Sequence, residues 1–498
     1  MDEASRARIR IFLNDPAARG QLAVPSDPPL ETERHPWGFR VEGKRPPARP
    51  YEPDTPEFLY WQITSALARG RALWTRYLPA AGTWIPGPVL PSIPVSGEGL
   101  NAYYDRKALH FFRGENAATG AVVHSGDSPD VVVHEQGHAV LDAIRPDLWD
   151  APHFEVAAFH EAFGDVSSIL AALAEPDLAR AALAETKGTL EHSNLVSRLA
   201  EELAAAVVAR FGRDAALPDS LRDAVNDFRY RAPRSLPDEA PAESLSREPH
   251  SFSRVLTGAC WDALVRLFSA DPAARSEEAG SRAGALRRAA EVLARSIAEA
   301  SEEAPAAAAF FRRFAGTLVR GAENETTGAA FSDAFAARGL APSAPAAEIR
   351  AAMEPEPLAT HVLDTIRRRL GASVDEEILV RPSRRGALSG RRPRDLFLYG
   401  PEYGPADGAA VEISDSFTVA VADSGYVTAS RVEAAGGEEE DDAREFVRTL
   451  ARRDRIAGDG AELADTSLLY REGRSHFVAR ERDGVRRLRR AWISGGDR

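Results

Sequence analysis

The 498-residue chain has one cysteine, Cys260. A single thiol excludes an intramolecular disulfide framework and any zinc site built on several thiolates, so a zinc ion here must be held by histidine and carboxylate. Long apolar runs are missing as well, none approaching the roughly 18 residues of a membrane helix. The N-terminal Met-Asp-Glu-Ala-Ser-Arg is acidic and leads into no apolar stretch of a secretory signal. The cytoplasm is the default location, with signal-independent export left open, and no membrane span is expected. Positive charge is in deficit, 62 Lys plus Arg against 75 Asp plus Glu for a net charge of −13. Such a chain repels phosphate backbones, so no nucleic-acid partner is expected. No internal repeat is evident. The composition, 44% hydrophobic and 28% charged, is that of an ordinary globular chain, long enough for roughly three domains.

Residues 1–54 form a Pro-rich N-terminal arm, in which Pro25-Ser-Asp-Pro-Pro and Arg45-Pro-Pro-Ala-Arg-Pro read as irregular chain wrapped on a domain. Phe58 to about Tyr77 is helical in pattern, and Ile93 to Phe112 reads as strands joined in a hairpin. These belong to a lobe spanning 55–150. Helical periodicity runs from 129 to about 340, broken by a Pro-rich loop at 232–249, and defines a second lobe over 151–341. Residues 342–359 are linker-like. Residues 360–498 carry short alternating runs, Phe417-Thr-Val-Ala-Val-Ala and Ser467-Leu-Leu-Tyr, with the acidic Glu438-Glu-Glu-Asp-Asp between them. They read as a small mixed α/β tail domain without recognisable chemistry. The Arg486-Arg-Leu-Arg-Arg490 run reads as a solvated face, Cys260 as a small buried hydrophobe, and His110 and His124 as structural.

The chemistry concentrates in Ser128-Pro-Asp-Val-Val-Val-His134-Glu135-Gln-Gly-His138 and the residues up to Pro146. Ser128 is a good N-cap, Pro129 suits the first helical position, and Asp130 complements the dipole, so the segment is helical and ends near Arg145. Val133, Val140 and Ile144 make an apolar stripe. His134 and His138, at i and i+4, share another face and can bind one zinc ion, with Glu135 in reach of a metal-bound water. Eleven histidines would produce such a pattern by accident in roughly two chains per hundred of this composition. A third ligand is needed, and Glu161 lies 23 residues after His138 on a second helical pattern. Asp165, one turn later, is placed to accept the outer N–H of a ligating histidine.

The sequence His134-Glu135-x-x-His138 followed by Glu161-x-x-x-Asp165 resembles the thermolysin-like gluzincin metallopeptidases. The resemblance covers about 55–341. It implies an α+β fold with a β-rich N-terminal lobe carrying the HExxH helix and a helical C-terminal lobe. It also implies one zinc ion on His134, His138 and Glu161, with Glu135 as general base. Asn101-Ala102-Tyr103-Tyr104-Asp105 resembles the family's edge strand, which makes Asn101 and Ala102 substrate-binding residues. Arg234-Ser235-Leu236 resembles the segment whose arginine holds the carbonyl on the leaving side. His250 resembles the histidine that hydrogen-bonds the oxyanion, with Glu248, Glu243 and Asp238 all open as the acid orienting it. His160 stands where the family has an asparagine behind the zinc ligands. Departures are specific. The His138 to Glu161 spacing is longer than in thermolysin, implying a larger loop around Trp149 to Phe154. Pro152 falls where the family has its catalytic tyrosine, with His153 beside it as a substitute proton donor. Ile169 to Ala174 offers no carboxylate, which puts the family's paired calcium site in doubt. The expected function is a zinc-dependent hydrolase, a neutral metalloendopeptidase acting on a peptide or protein substrate. A catalytically inactive gluzincin-fold scaffold is the alternative, and an aminopeptidase a third reading for which no acidic anchor is found. Oligomeric state is not readable.

Overall fold

The computed structural model describes residues 8–18, 23–29, 31–34, 36–78, 82–341, 367, 378–382, 387–421, 427–433, 436–459 and 466–494. The linker 342–359 lies outside them. The chain is mixed α and β, with several small sheets against a helical core, consistent with α+β.

The first lobe is a five-stranded sheet packed on two helices. Its strand order is Ile493–Ser494, Ala102–Tyr104, Leu109–Phe111, Val89–Ile93, Gly38–Val41. The last three strands are mutually parallel and the first three antiparallel. Gly38–Val41 belongs to the stretch expected to be irregular arm. Phe39 and Val41 are buried while Arg40 points out, an alternation that flanking prolines and charges hid. Helix α1 (Pro56–Trp74) starts at Thr55, whose hydroxyl accepts from Phe58 N at 3.2 Å, with proline in the first turn. Helix α2 (Pro129–Ile144) follows the hairpin. Ser128 is at its N-cap in extended conformation, but its side chain makes no capping bond, contrary to expectation.

Helix α3 (Phe154–Ala174) crosses α2 closely. It is apolar and long enough to cross a membrane, yet it is the central core helix, buried at every residue from Phe154 to Leu173. The crossing depends on two glycines: a Cβ on Gly137 would lie 3.0 Å from Gly164 Cα, and one on Gly164 would lie 2.6 Å from His134 Nδ1. Around α3 pack α4 (Pro176–Glu185), α6 (Pro249–Ala270), α7 (Ala279–Glu303) and α8 (Phe310–Arg320), with α9 (Glu325–Ala337) on α6 and α8, while α5 (Glu201–Phe211) lies against the strand Val122–His124. Proline at the start of α6 and the Glu248 carboxylate accepting from Ser251 N at 2.8 Å fix where that helix begins.

Residues 378–494 form a seven-stranded sheet with two helices, α10 (Gly437–Arg452) and α11 (Thr466–Arg471). The acidic run fills the first turn of α10, where negative charge meets the positive helix end. Ser467-Leu-Leu-Tyr, read as strand-like, is helical: it is the body of α11, where Leu469 and Tyr470 meet Phe112 and Tyr103. The Arg486–Arg490 run is a strand, not a solvated face. Arg487 is bound to Asp395 at 2.7 Å, Arg489 to Asp150 at 3.3 Å, and the Arg490 guanidinium donates to the Trp149 carbonyl at 2.8 Å. These acids lie far away in sequence, which is why the run looked solvated. This C-terminal part docks on the two lobes through Arg247 to Glu445 at 2.5 Å, Arg313 to Glu439 at 3.1 Å and Lys107 to Thr466 at 3.1 Å. It then contributes the fifth strand of the first lobe's sheet.

Candidate metal centre

Helices α2 and α3 bring three ligand atoms together. His134 Nε2 lies 3.3 Å and His138 Nε2 3.8 Å from Glu161 Oε2, and the histidine rings stand nearly perpendicular with centroids 4.6 Å apart. All three side chains are buried, and among the described residues none of these three atoms has a hydrogen-bond partner. Buried polar atoms left in this way are costly unless a ligand satisfies them. Two imidazoles and one carboxylate with their free atoms within 4.8 Å of one another are a donor set that fits zinc. Glu135, between the two histidines in sequence, is fully buried beside them.

Electrostatics prepares the set. Burial pushes the His138 imidazole well below its ordinary value, and the neighbouring His134, His160 and His250 push it further, so it presents a neutral ring. Burial acts the same way on His134, but the facing Asp165 and Glu161 carboxylates outweigh it and hold the ring up to about 9 when no cation is bound. Asp165 Oδ1 stands 3.1 Å from His134 Nδ1, the position expected of an acid orienting a ligand. Burial works against the ionised Asp165, yet Arg222 and His134 lower it to about 2. Arg222 Nε donates to both carboxylate oxygens at 2.9 and 3.0 Å.

His250, at the start of α6, reaches the centre from the second lobe. Its Nε2 lies 3.2 Å from Glu161 Oε2 and its Nδ1 2.7 Å from Glu248 Oε1. Of the three acids left open by the sequence, Glu248 is the one in contact. Asn101 and Ala102 lie on the sheet edge facing this centre; the Asn101 side-chain oxygen accepts from Ala102 N at 2.8 Å. A cleft of about 630 Å³ opens here, bounded by Asn101, Glu161, His250, Tyr470, Arg490 and Ser494.

Two expected residues stand elsewhere. Arg234 is exposed in a short 3-10 turn outside this cleft, and its carbonyl accepts from Arg247 at 3.2 Å. The arginine beside the metal ligands is Arg222, in the short strand Arg222–Asp223, where it lines a small pocket with Asn101, Ala102 and His134. His153 faces a separate cavity and pairs with Asp442 of α10 at 2.8 Å, so its ring is committed to docking the C-terminal part. His160 is wholly buried behind this cluster, its ring centroid 5.9 Å from that of His138 and 6.3 Å from that of Trp149.

Two contributions had no signal in the sequence. Tyr470 of α11 enters the cleft beside Asn101 and Glu135: burial raises its hydroxyl above the ordinary phenol range, hydrogen bonding to Asn101 opposes this, and the Glu135 charge adds to it. Ser494 ends the tail strand with its carbonyl hydrogen-bonded to His250 Nε2. A second carboxylate group, Asp15, Asp130 and Glu201, gathers at the N-terminal end of α2 and could hold another cation. It draws on the arm and α5, and not on the Ile169–Ala174 stretch.

No protein-family model matches the chain, and neither the curated proteins nor the solved structures contain a match.

Proposed function

We propose that this chain is a zinc-dependent endopeptidase of the thermolysin-like gluzincin type. The observation that carries the reading is the convergence of His134, His138 and Glu161 with their ligand atoms unbonded, backed by Asp165 and faced by His250. Zinc on these ligands supplies, when bound, an acidified water and a Lewis acid for the scissile carbonyl. Glu135 takes the water's proton and delivers it to the leaving amine, as general base and then general acid. His250 Nε2, its ring aligned by Glu248, donates to the developing oxyanion, a contribution of about 3 kcal/mol for one such donor. The edge strand Ala102–Tyr104 offers backbone groups for an extended substrate to pair with, and Asn101 and Arg222 flank it.

A strand of the chain's own C-terminus already lies on that edge, and this favours a second reading, a gluzincin-fold scaffold without turnover. Zinc content and digestion of an unfolded protein separate the two when measured on wild type and Glu135→Gln, each as the intact chain and with the tail strand loosened by Ile493→Ala. One equivalent of zinc in both, with cleavage only where Glu135 is present, is the expected result. Zinc without cleavage in any form supports the scaffold, and equal cleavage by Glu135→Gln removes the mechanism.

A further inference from the structure

The tail strand Ile493–Ser494 pairs antiparallel with the sheet edge, Ile493 opposite Tyr104 and Ser494 opposite Tyr103. Both residues are 3% exposed, so the pairing is dry. The Ser494 carbonyl accepts from His250 Nε2, the atom that also lies 3.2 Å from Glu161 Oε2. An extended backbone laid on an edge strand with a carbonyl on this histidine is what a bound peptide requires. The segment is held from behind. Trp492 packs on Tyr470 with ring centroids 5.2 Å apart and donates through Nε1 to the Arg474 carbonyl at 2.9 Å. Tyr470 in turn covers Tyr103 at 4.5 Å, and Arg490 N donates to Asp150 Oδ1 at 2.8 Å.

We propose that residues 491–494 are an intramolecular pseudo-substrate: the C-terminal segment fills the substrate cleft in cis, and peptides gain access only when the strand leaves the sheet edge. This rests on the endopeptidase reading of the site. A tethered occupant competes at an effective concentration on the order of millimolar, so its release should raise turnover of a dilute peptide about tenfold or more. No bond is made or broken in the switch; the exchanged groups are the backbone pairs of Tyr103 and Tyr104 and the His250 donor.

The test uses zinc-loaded full-length protein as wild type, Ile493→Asp, which places a charge in the dry pairing, and Ile493→Ala, which weakens it should the aspartate variant fail to fold. Three readouts are compared: cleavage of a quenched peptide, affinity for a peptidyl hydroxamate, and hydrogen exchange of the 102–104 amides. The variants should cleave about tenfold faster, bind the hydroxamate tighter and exchange faster. A synthetic peptide spanning 489–496 should restore inhibition in trans. Wild type cleaving as fast as the variants, or identical exchange and hydroxamate affinity in all forms, overturns the proposal. Faster exchange and tighter hydroxamate binding with no cleavage by any form would keep the pseudo-substrate and discard the endopeptidase.

Discussion

One carboxylate does two jobs at the start of α6: Glu248 Oε1 lies 2.7 Å from His250 Nδ1 while Oε2 accepts from Ser251 N at 2.8 Å. The cap that fixes where the helix begins therefore also aims the imidazole, so that Nε2 points at Glu161. Glu248→Gln keeps an acceptor for the cap but loses the charged partner of the ring. Expected is a roughly tenfold fall in kcat for peptide cleavage, with zinc content and KM close to wild type. Glu248→Ala should add a loss of about 1 kcal/mol in stability from the missing cap. Unchanged kcat in Glu248→Gln would show that the ring needs no aligned partner.

Gly164 gives His134, a ligand of the proposed zinc site, its space. The ring of His134 sits where a Cβ on this glycine would be, with Nδ1 at 2.6 Å and Cε1 at 2.7 Å. Elsewhere in a helix, alanine for glycine adds about 0.5–1 kcal/mol of stability. Here the methyl must move a buried ring that is held by Asp165, and overpacking of this kind costs about 1–3 kcal/mol. Gly164→Ala is expected to lower Tm and weaken zinc binding at least tenfold, read by thermal melting and chelator competition. A variant that melts higher and keeps its zinc affinity would remove Gly164 from the site.

The parts of the site visible in the sequence are those with a local period. His134 and His138 lie one helical turn apart, as do Glu161 and Asp165, so two short windows revealed four residues. Helices α1, α2 and α3 were legible as helical patterns, and a start was legible only for α2, at Pro129. What escaped notice is non-local. Arg222 is one arginine in a two-residue strand and reaches Asp165 from 57 positions away. Arg234 was preferred because its local context matched a known segment, yet distance along the chain says nothing of which arginine turns inward. The tail strand is two residues long, too short for any alternation to register. Tyr470 was misassigned with its segment because Leu-Leu-Tyr suits a strand as well as the buried side of a short helix.

The carboxylate group at the N-terminal end of α2 predicts a dependence of stability on pH and on cations. Asp15 Oδ2 and Glu201 Oε2 are buried and make no hydrogen bond. Burial raises Asp15, Asp130 and Glu201 above the ordinary carboxyl range, and mutual repulsion raises Asp130 and Glu201 further. Burial, then the charges of nearby acids, also brings Glu202 to about 8 and Asp127 to about 7. Each folded value lies above its unfolded one, so the folded chain binds more protons. The stability these groups contribute is complete below about pH 4 and lost as pH rises through about 7 to 9. For Asp127 alone the change is about 4 kcal/mol. Protein dialysed free of alkaline-earth ions should therefore melt at progressively lower temperature from pH 5 to pH 9. A divalent cation that prefers oxygen ligands takes the place of those protons, so calcium added at pH 8 should raise Tm by several degrees. Asp130→Asn combined with Glu201→Gln should flatten the pH profile and abolish the calcium response. Arg198, 3.3 Å from Glu201, and Arg69, which acts on Asp130, offset these acids only in part, and a Tm that stays level from pH 5 to pH 9 without calcium would show that they do not have the raised proton affinity that burial gives them.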